Sequence, residues 1–457
     1  MMLRARYIAV ALVGFFVLLR WYKTPRQFTA SDFGPLEPLN STLGFQHIFA
    51  INLPSRTDRR DVLTLAAALT GLNISFMDGV AGADVPDSVL PGNGKRPMGL
   101  TVGNKGSWRA HMNVLQRIVQ ENIITALILE DDADWDVRLK SQMRVFAAAA
   151  RAFTQPLSSS SSGRTTSDWQ PPSEATLAEV YRHSPPTSDP VTNIPISRLI
   201  TMDLPDSHLS PYGDDWDVLW LGHCGTDFPE EHSATDRSDD PWTPPPLRVT
   251  IPDDPTVPSP KHLVPHPFAL GDALKKETFT GSDDEDEEWV EGEDLRRRKR
   301  YAPHTRVVHA PRRAVCTQAY AVSQRGARRL LWRFGVGMGL TAGWDLVLRD
   351  WCDGVYSSSS ASHSGSHHRR GEEEKVKRRE SGDGEEVVGD GRPPVCVTVQ
   401  PPLFSHHFGK GKASDISAAG GGFWNRKGEL TPYIRLSVRL NLGRLVNGWE
   451  PREQWED

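Results

Sequence analysis

At 457 residues the chain is long enough for two or three ordinary domains, yet its 35 Pro, 38 Gly and several charge runs keep much of it out of any packed core. The foldable part is nearer one large domain. A formal charge of −5, with acidic and basic runs interspersed, provides no basic face for gripping a phosphate backbone and excludes nucleic acid as the expected partner.

In chain order, the first element is an apolar run from Tyr7 to Leu19, flanked by Arg4 and Arg6 on one side and Arg20, Lys23 and Arg26 on the other. No small-x-small cleavage site follows directly, and Trp21 and Tyr22 suit a membrane interface, so residues 1–23 read as an uncleaved signal anchor. A cleaved leader and a buried core helix are the alternatives. The run is shorter than the roughly 20 residues that cross an average bilayer, which fits a thin early-secretory membrane. A single-pass type II protein of the Golgi or endoplasmic reticulum membrane, with its catalytic domain in the lumen, is therefore expected. There Cys224, Cys316, Cys352 and Cys396 meet an oxidising environment and are free to form one or two disulfides; their spacing fits no zinc motif. The sequons Asn40-Ser-Thr and Asn73-Ile-Ser agree with that placement.

Residues 24–44, rich in Pro, Ser and Thr, read as a stem. His47 to Leu53 predicts a buried strand, Asp58 to Thr70 a helix stopped by Gly71, and Ile74 to Met77 the next strand. Between Gly106 and Asn122 the residues Trp108, Met112, Leu115, Ile118 and Val119 fall on one helical face, and Ile123 to Leu129 is a continuous apolar strand. This alternation predicts an α/β fold with a mixed, mostly parallel sheet. Residues near 155–210, 226–300 and 357–394 lack a sustained period and read as disordered insertions; the second carries the acidic run Asp283 to Glu288 and the basic run Arg296 to Arg300, the third His363, His367 and His368. Strands are predicted at Asp217 to Leu221 and Cys316 to Val322, with Ser323 capping a helix that runs through Ala327, Leu330, Leu331 and Phe334, a further helix at Asp345 to Trp351, and Val395 to Val399 closing the sheet at an edge. One domain thus spans 45–425, followed by a C-terminal extension, 426–457.

The chemistry concentrates at Ala126-Leu-Ile-Leu-Glu130-Asp131-Asp132, where a buried strand ends in three consecutive carboxylates. Adjacent carboxylates repel unless a cation or solvent separates them, and open α/β sheets bind ligands beyond the carboxyl ends of their strands. Mn²⁺ or Mg²⁺ held by one or two of these groups together with diphosphate oxygens would meet both conditions and neutralise a departing nucleoside diphosphate. An acidic turn without a ligand is the plain alternative.

Several ordered motifs resemble those of glycosyltransferase family 25, which includes lipooligosaccharide and procollagen galactosyltransferases. Ile51-Asn52-Leu53 with Arg56, Asp58, Arg59 and Arg60 is similar to the family's opening strand and turn; Gly103-x-x-Gly106-x-x-x-x-His111 to its helix-opening motif; Leu129-Glu-Asp-Asp132 to its acidic motif. Asp215-Trp-Asp-Val-Leu-Trp-Leu-Gly222, Ala319 to Leu331 with Asp345 after it, and Ser414-Asp-Ile416 continue the series. The resemblance implies a GT-A-like nucleotide-sugar-binding domain, a UDP-sugar donor, usually UDP-galactose, and inverting hexose transfer to a glycan or glycoprotein acceptor. It implies that Asp131 and Asp132 hold the metal, with Glu130 assisting or facing the sheet. Asn52, Arg56, Asp58 and Arg59 would approach the nucleotide, and His111 would face the donor or sit in the core. An inverting transfer needs a carboxylate base at the acceptor hydroxyl. Asp345 is the first candidate, with a helix N-cap role compatible, and Asp217 is the reserve. Asn104, Ser107 and Ala110 depart from the Glu, Cys and Ser usual in the second motif. That departure motivates the alternative of a catalytically silent lumenal binding or scaffold protein. A metal-dependent hydrolase would want further ligands at metal spacing, which the ordered segments lack.

Overall fold

A computed structural model describes residues 39–92, 100–157, 175–183, 192–202, 204–229, 245–263, 301–337, 340–356, 392–409 and 428–455. In chain order, β1 (His47–Asn52), helix α1 (Thr57–Leu69) and β2 (Ser75–Asp78) come first, then α2 (Val102–Gln120), β3 (Thr125–Glu130), β4 (Ala133–Trp135) and α3 (Leu139–Thr154). They are followed by α4 (Leu177–His183), β5 (Thr192–Pro195), α5 (Ile196–Ile200), β6 (Val218–Gly222), β7 (Gly225–Asp227) and β8 (Leu247–Ile251). β9 (Arg306–His309), β10 (Arg312–Val315), β11 (Ala319–Ser323), α6 (Gln324–Leu331), α7 (Trp344–Cys352), β12 (Cys396–Gln400), β13 (Phe404–His406) and α8 (Leu442–Val446) complete the set.

Eleven strands form one sheet, in the order β2-β1-β3-β11-β6-β12-β9-β8-β5, with β13 beside β6 and β4 on β13. Tracing the pairings from β3, eight strands run one way and three, β4, β9 and β11, run against them. The expected mixed α/β sheet is therefore present. Every residue of β6 is buried, as is β3 up to Leu129, which explains continuous apolar runs rather than alternation. Helix α2 turns Trp108, Met112, Leu115 and Ile118 into the same core, and the Trp108 Nε1 donates to the Phe334 carbonyl at 3.0 Å. Thr101 and Ser323 cap α2 and α6 by accepting from the Asn104 and Gly326 amides. A Cβ on Gly106 would lie 2.4 Å from the Val80 carbonyl oxygen, so the glycine lets α2 approach the 80–82 backbone.

Four expectations are corrected. The stretch 155–210 contributes α4, β5 and α5, and 226–300 contributes the buried β8; both were masked by Pro and Ser because short sheet-edge segments need little apolar sequence when neighbours bury them. β12 lies between β6 and β9 rather than at an edge. The stem's last residues join the fold, since Leu43 is fully buried and its carbonyl accepts from the Tyr212 hydroxyl. Residues 428–455 are packed against the acidic segment instead of extending from it, as the contacts of Thr431 and Arg439 below establish. The expected anchor, the charge runs at 283–300, the histidines at 363–368 and Ser414–Ile416 lie outside the described residues. Among the described residues no helix is long and apolar enough to cross a membrane. Asn40 and Asn73 are exposed.

Candidate functional site

β3 delivers Glu130, Asp131 and Asp132 to its carboxyl end, and the register Ile51↔Glu130 brings the end of β1 alongside them. Asn52, buried at that end, donates through Nδ2 to Asp131 Oδ2 at 2.8 Å. One turn into α1, Arg59 Nη1 donates to both Asp131 Oδ1 at 2.5 Å and Asp132 Oδ2 at 3.0 Å. From β13, paired with β4, His406 Nε2 stands 3.2 Å from Asp132 Oδ2. Arg439 donates from Nη2 to the Asp131 carbonyl at 2.6 Å and from Nε to the Ala133 carbonyl at 2.9 Å. Asp134, fully buried, accepts from the Thr431 and Ser437 hydroxyls and the Arg439 amide, which ties the C-terminal segment to the turn.

These surroundings separate the three acids. Burial, then the charge of Asp132, raises the Asp131 carboxyl against the pull of Arg59 and Asn52. Burial acts in the same sense on Asp132, but the charges of His406 and Arg59 and the His406 hydrogen bond outweigh it and hold this group ionised, below the usual carboxylate range. Burial, then the charges of Asp132, Asp345 and Asp131, pushes Glu130 up to about 8 despite the Thr317 hydroxyl, which donates to its Oε1 at 2.7 Å.

The other expected residues divide. Asp345 lies close enough to raise Glu130, but Gly343, not Asp345, is the N-cap of α7; Asp345 sits in the first turn and its Oδ2 accepts from the Cys316 amide at 3.1 Å. A Cβ built on Gly343 would be 3.1 Å from Asp345 Oδ1 and 3.5 Å from Asn104 Oδ1, so the altered second motif borders Asp345. Asp217 does not join them. It immediately precedes β6, at the opposite end of the sheet from Glu130, and is consumed there by Arg325 Nε at 2.8 Å, Arg329 Nη1 at 2.7 Å and the Val395 amide. Its role is to anchor α6. His111 is a buried core histidine rather than a donor contact: Nδ1 pairs with the Tyr320 hydroxyl at 2.8 Å, the ring stacks on Trp344, and burial lowers its pKa to about 3. Its Nε2 lies 3.9 Å from Glu130 Oε1, too far for a hydrogen bond. Arg56 and Asp58 form a bidentate pair with each other.

Asp131, Asp132 and His406 are side chains that could hold a cation; the two carboxylates suit Mn²⁺ or Mg²⁺, whereas an imidazole favours softer divalent ions. Asp132 Oδ1 fits that use, being buried with no hydrogen-bond partner among the described residues. Arg59 already bridges the pair, and the described residues hold no preassembled group of three or more ligands. A cation bridging both aspartates would compete with Arg59 for Asp131 Oδ1 and Asp132 Oδ2. His406 and Arg439 were missed in the sequence. His406 ends a strand of only three residues, and Arg439 lies in a segment without periodicity, so neither carries a local signal.

The buried carboxylates beside an arginine-bearing helix thus stand at the carboxyl end of strand β3, where open α/β sheets bind ligands. Residues 45–172, which include every residue of the acidic cluster contributed by β1, α1 and β3, match the model of glycosyltransferase family 25 (LPS biosynthesis protein). A curated glycosyltransferase 25 family member from Anopheles gambiae is 35% identical over 102 residues, which is 20% of this chain and 17% of that protein. One from Aedes aegypti is 30% identical over 113 residues, 22% of this chain and 18% of that relative. The matched stretch thus spans less than a fifth of either relative's length. Over residues 45–172, less than half of the chain, the similarity is to glycosyltransferase family 25.

Proposed function

We propose that the chain is a glycosyltransferase that moves a hexose, galactose from UDP-galactose being the first choice, onto a glycan or protein hydroxyl with inversion, in a GT-A-like domain assisted by Mn²⁺ or Mg²⁺. The observation that carries this reading is the unpartnered, buried Asp132 Oδ1 beside a second carboxylate at the end of β3, inside the family-matching segment. Asp132, Asp131 and His406 would hold the cation, whose chemistry is to neutralise the departing diphosphate. Arg59, on leaving the aspartates, becomes available to phosphate oxygens, which its planar fork suits. Asp345, bordering the site and half-buried, would take the acceptor proton as the sugar bond forms. Two disulfides, Cys224–Cys316 and Cys352–Cys396, favour an oxidising lumen, and the apolar run of residues 7–19 would anchor the chain in the Golgi or endoplasmic reticulum membrane.

The purified chain is expected to release UDP from UDP-galactose only with added Mn²⁺ or Mg²⁺, and Asp132→Ala is expected to abolish release while keeping its circular dichroism spectrum. Full activity in that variant, or no reaction with any UDP-hexose, sinks the reading. Arg59 bridging both aspartates favours one alternative, a catalytically silent lumenal binding protein. UDP binding without any UDP release from donors would select it.

A further inference from the structure

The segment 316–318 touches both acids that flank the metal-binding candidates. The Cys316 amide donates to Asp345 Oδ2, the Thr317 hydroxyl donates to Glu130 Oε1, and the Gln318 carbonyl accepts from the Glu130 amide at 3.0 Å. Three consecutive residues between β10 and β11 therefore set the relative positions of Glu130 and Asp345. Cys316 holds a left-handed backbone, φ 65°, which a side chain other than glycine adopts only where its surroundings impose it. Those surroundings are identifiable. The Trp220 Nε1 donates to the Cys316 carbonyl at 2.9 Å, and the sulfur is bonded to Cys224.

Cys224 is itself held at both backbone ends: its amide donates to the Val315 carbonyl at 2.8 Å and its carbonyl accepts from the Tyr433 hydroxyl at 3.1 Å. Tyr433 belongs to the segment whose Thr431, Ser437 and Arg439 grip the acidic turn. The disulfide consequently joins the two supports of the site, one from the C-terminal segment and one from the loop before β11. Cys352–Cys396 differs, linking the end of α7 to β12 without a contact to any of the acids.

We propose that the Cys224–Cys316 disulfide is a positioning element of this site: it locks the 316–318 turn whose amide and hydroxyl orient Asp345 and Glu130, so that turnover depends on this bond beyond its effect on stability. The proposal rests on the glycosyltransferase reading and on Asp345 as the acceptor-side base.

The test is a double-mutant cycle in the full chain. UDP release from UDP-galactose with Mn²⁺ and UDP affinity are measured for wild type, Cys224→Ser/Cys316→Ser, Asp345→Asn and the triple variant, with hydrogen exchange of each. A base is worth about 10²-fold or more, so Asp345→Asn is expected to lose that much. The cysteine pair is expected to lose on the order of tenfold in turnover with UDP affinity retained, and the triple variant to lose no more than Asp345→Asn alone, because the bond acts through that carboxylate. Exchange should quicken at 316–318 and 344–347 and stay unchanged at 47–52 and 125–130. Losses that multiply in the triple variant, or exchange unaltered at 316–318, overturn the proposal. If the serine pair fails to fold, native wild type and Asp345→Asn are compared before and after dithiothreitol, which converts the bond to two thiols as it closes to its own cyclic disulfide; alkylated peptides report which bond was opened. A wild type that neither binds UDP nor releases it rejects the glycosyltransferase reading instead, and the exchange pattern then decides the positioning role by itself.

Discussion

Arg439 shows how much of the acidic site is maintained by groups that never face a ligand. Its guanidinium is buried, and burial lowers its pKa against the charges of Asp134, Asp132 and Asp131. It stays because its Nη2 and Nε supply donors to the Asp131 and Ala133 carbonyls in a turn that follows a strand buried up to Leu129. Arg439→Met keeps the volume of the stem and removes both bonds. Leaving two buried carbonyls unmet is expected to cost about 2–4 kcal/mol, read as a lower urea midpoint at unchanged slope. An unmoved midpoint would mean that the carbonyls are met by water. Asp134 makes the same argument in the opposite sense, a fully buried side chain whose acceptor oxygens are met by two hydroxyls and two amides.

Two element contacts carry separable consequences. Helix α2 lies against the 80–82 backbone only because position 106 lacks a side chain, so Gly106→Ala must shift one of them, at about 1–3 kcal/mol of stability in a thermal or urea titration. A stability gain, which a solvent-exposed helix glycine would produce, would contradict the packing. On the other side of the sheet, Asp254 joins β9 and α3: its Oδ2 accepts from Arg306 Nε at 2.7 Å, and Thr256, which it also holds, accepts from Gln142. Burial favours the neutral acid, but the Arg306 charge and the Thr256 bonds outweigh it and depress the folded pKa. A depressed folded value adds stability that is complete above the unfolded value, about 4, and is lost as pH falls through the folded one. The stability gap between wild type and Asp254→Asn is therefore expected to be flat from pH 7 to about 5 and to close below about 4. A gap that widens on acidification would reverse the sign and refute the ion pair.

At the scale of the whole molecule, what was legible in the sequence is what local periodicity encodes. β1, α1, α2, β3, β6 and α6 announce themselves through apolar runs, helical spacing and caps, and with them come Asn52, Arg59 and the acidic triplet. β5 and β8 do not, since strands of four and five residues set among prolines acquire their burial from neighbours far along the chain. Asp217 misled for a related reason: an acid beginning a strand reads the same whether it faces a ligand or two arginines from a helix over a hundred residues away. The least legible part is the C-terminal segment, whose contacts with the acidic turn span about three hundred residues of sequence. Its removal is therefore the sharpest test of the assembled site. A chain ending at residue 427 loses Thr431, Ser437 and Arg439 together and leaves the buried Asp134 side chain with only the Trp135 amide of those four donors. Leaving buried acceptors unmet costs about 1–3 kcal/mol each, a large share of the roughly 5–15 kcal/mol that holds a domain together. The truncated chain is expected to melt without a cooperative transition and to bind no UDP. Restoring 428–455 as a separate peptide should recover part of both signals, whereas a truncation that melts like the full chain would show that the turn at Asp131–Asp134 stands without its C-terminal clamp.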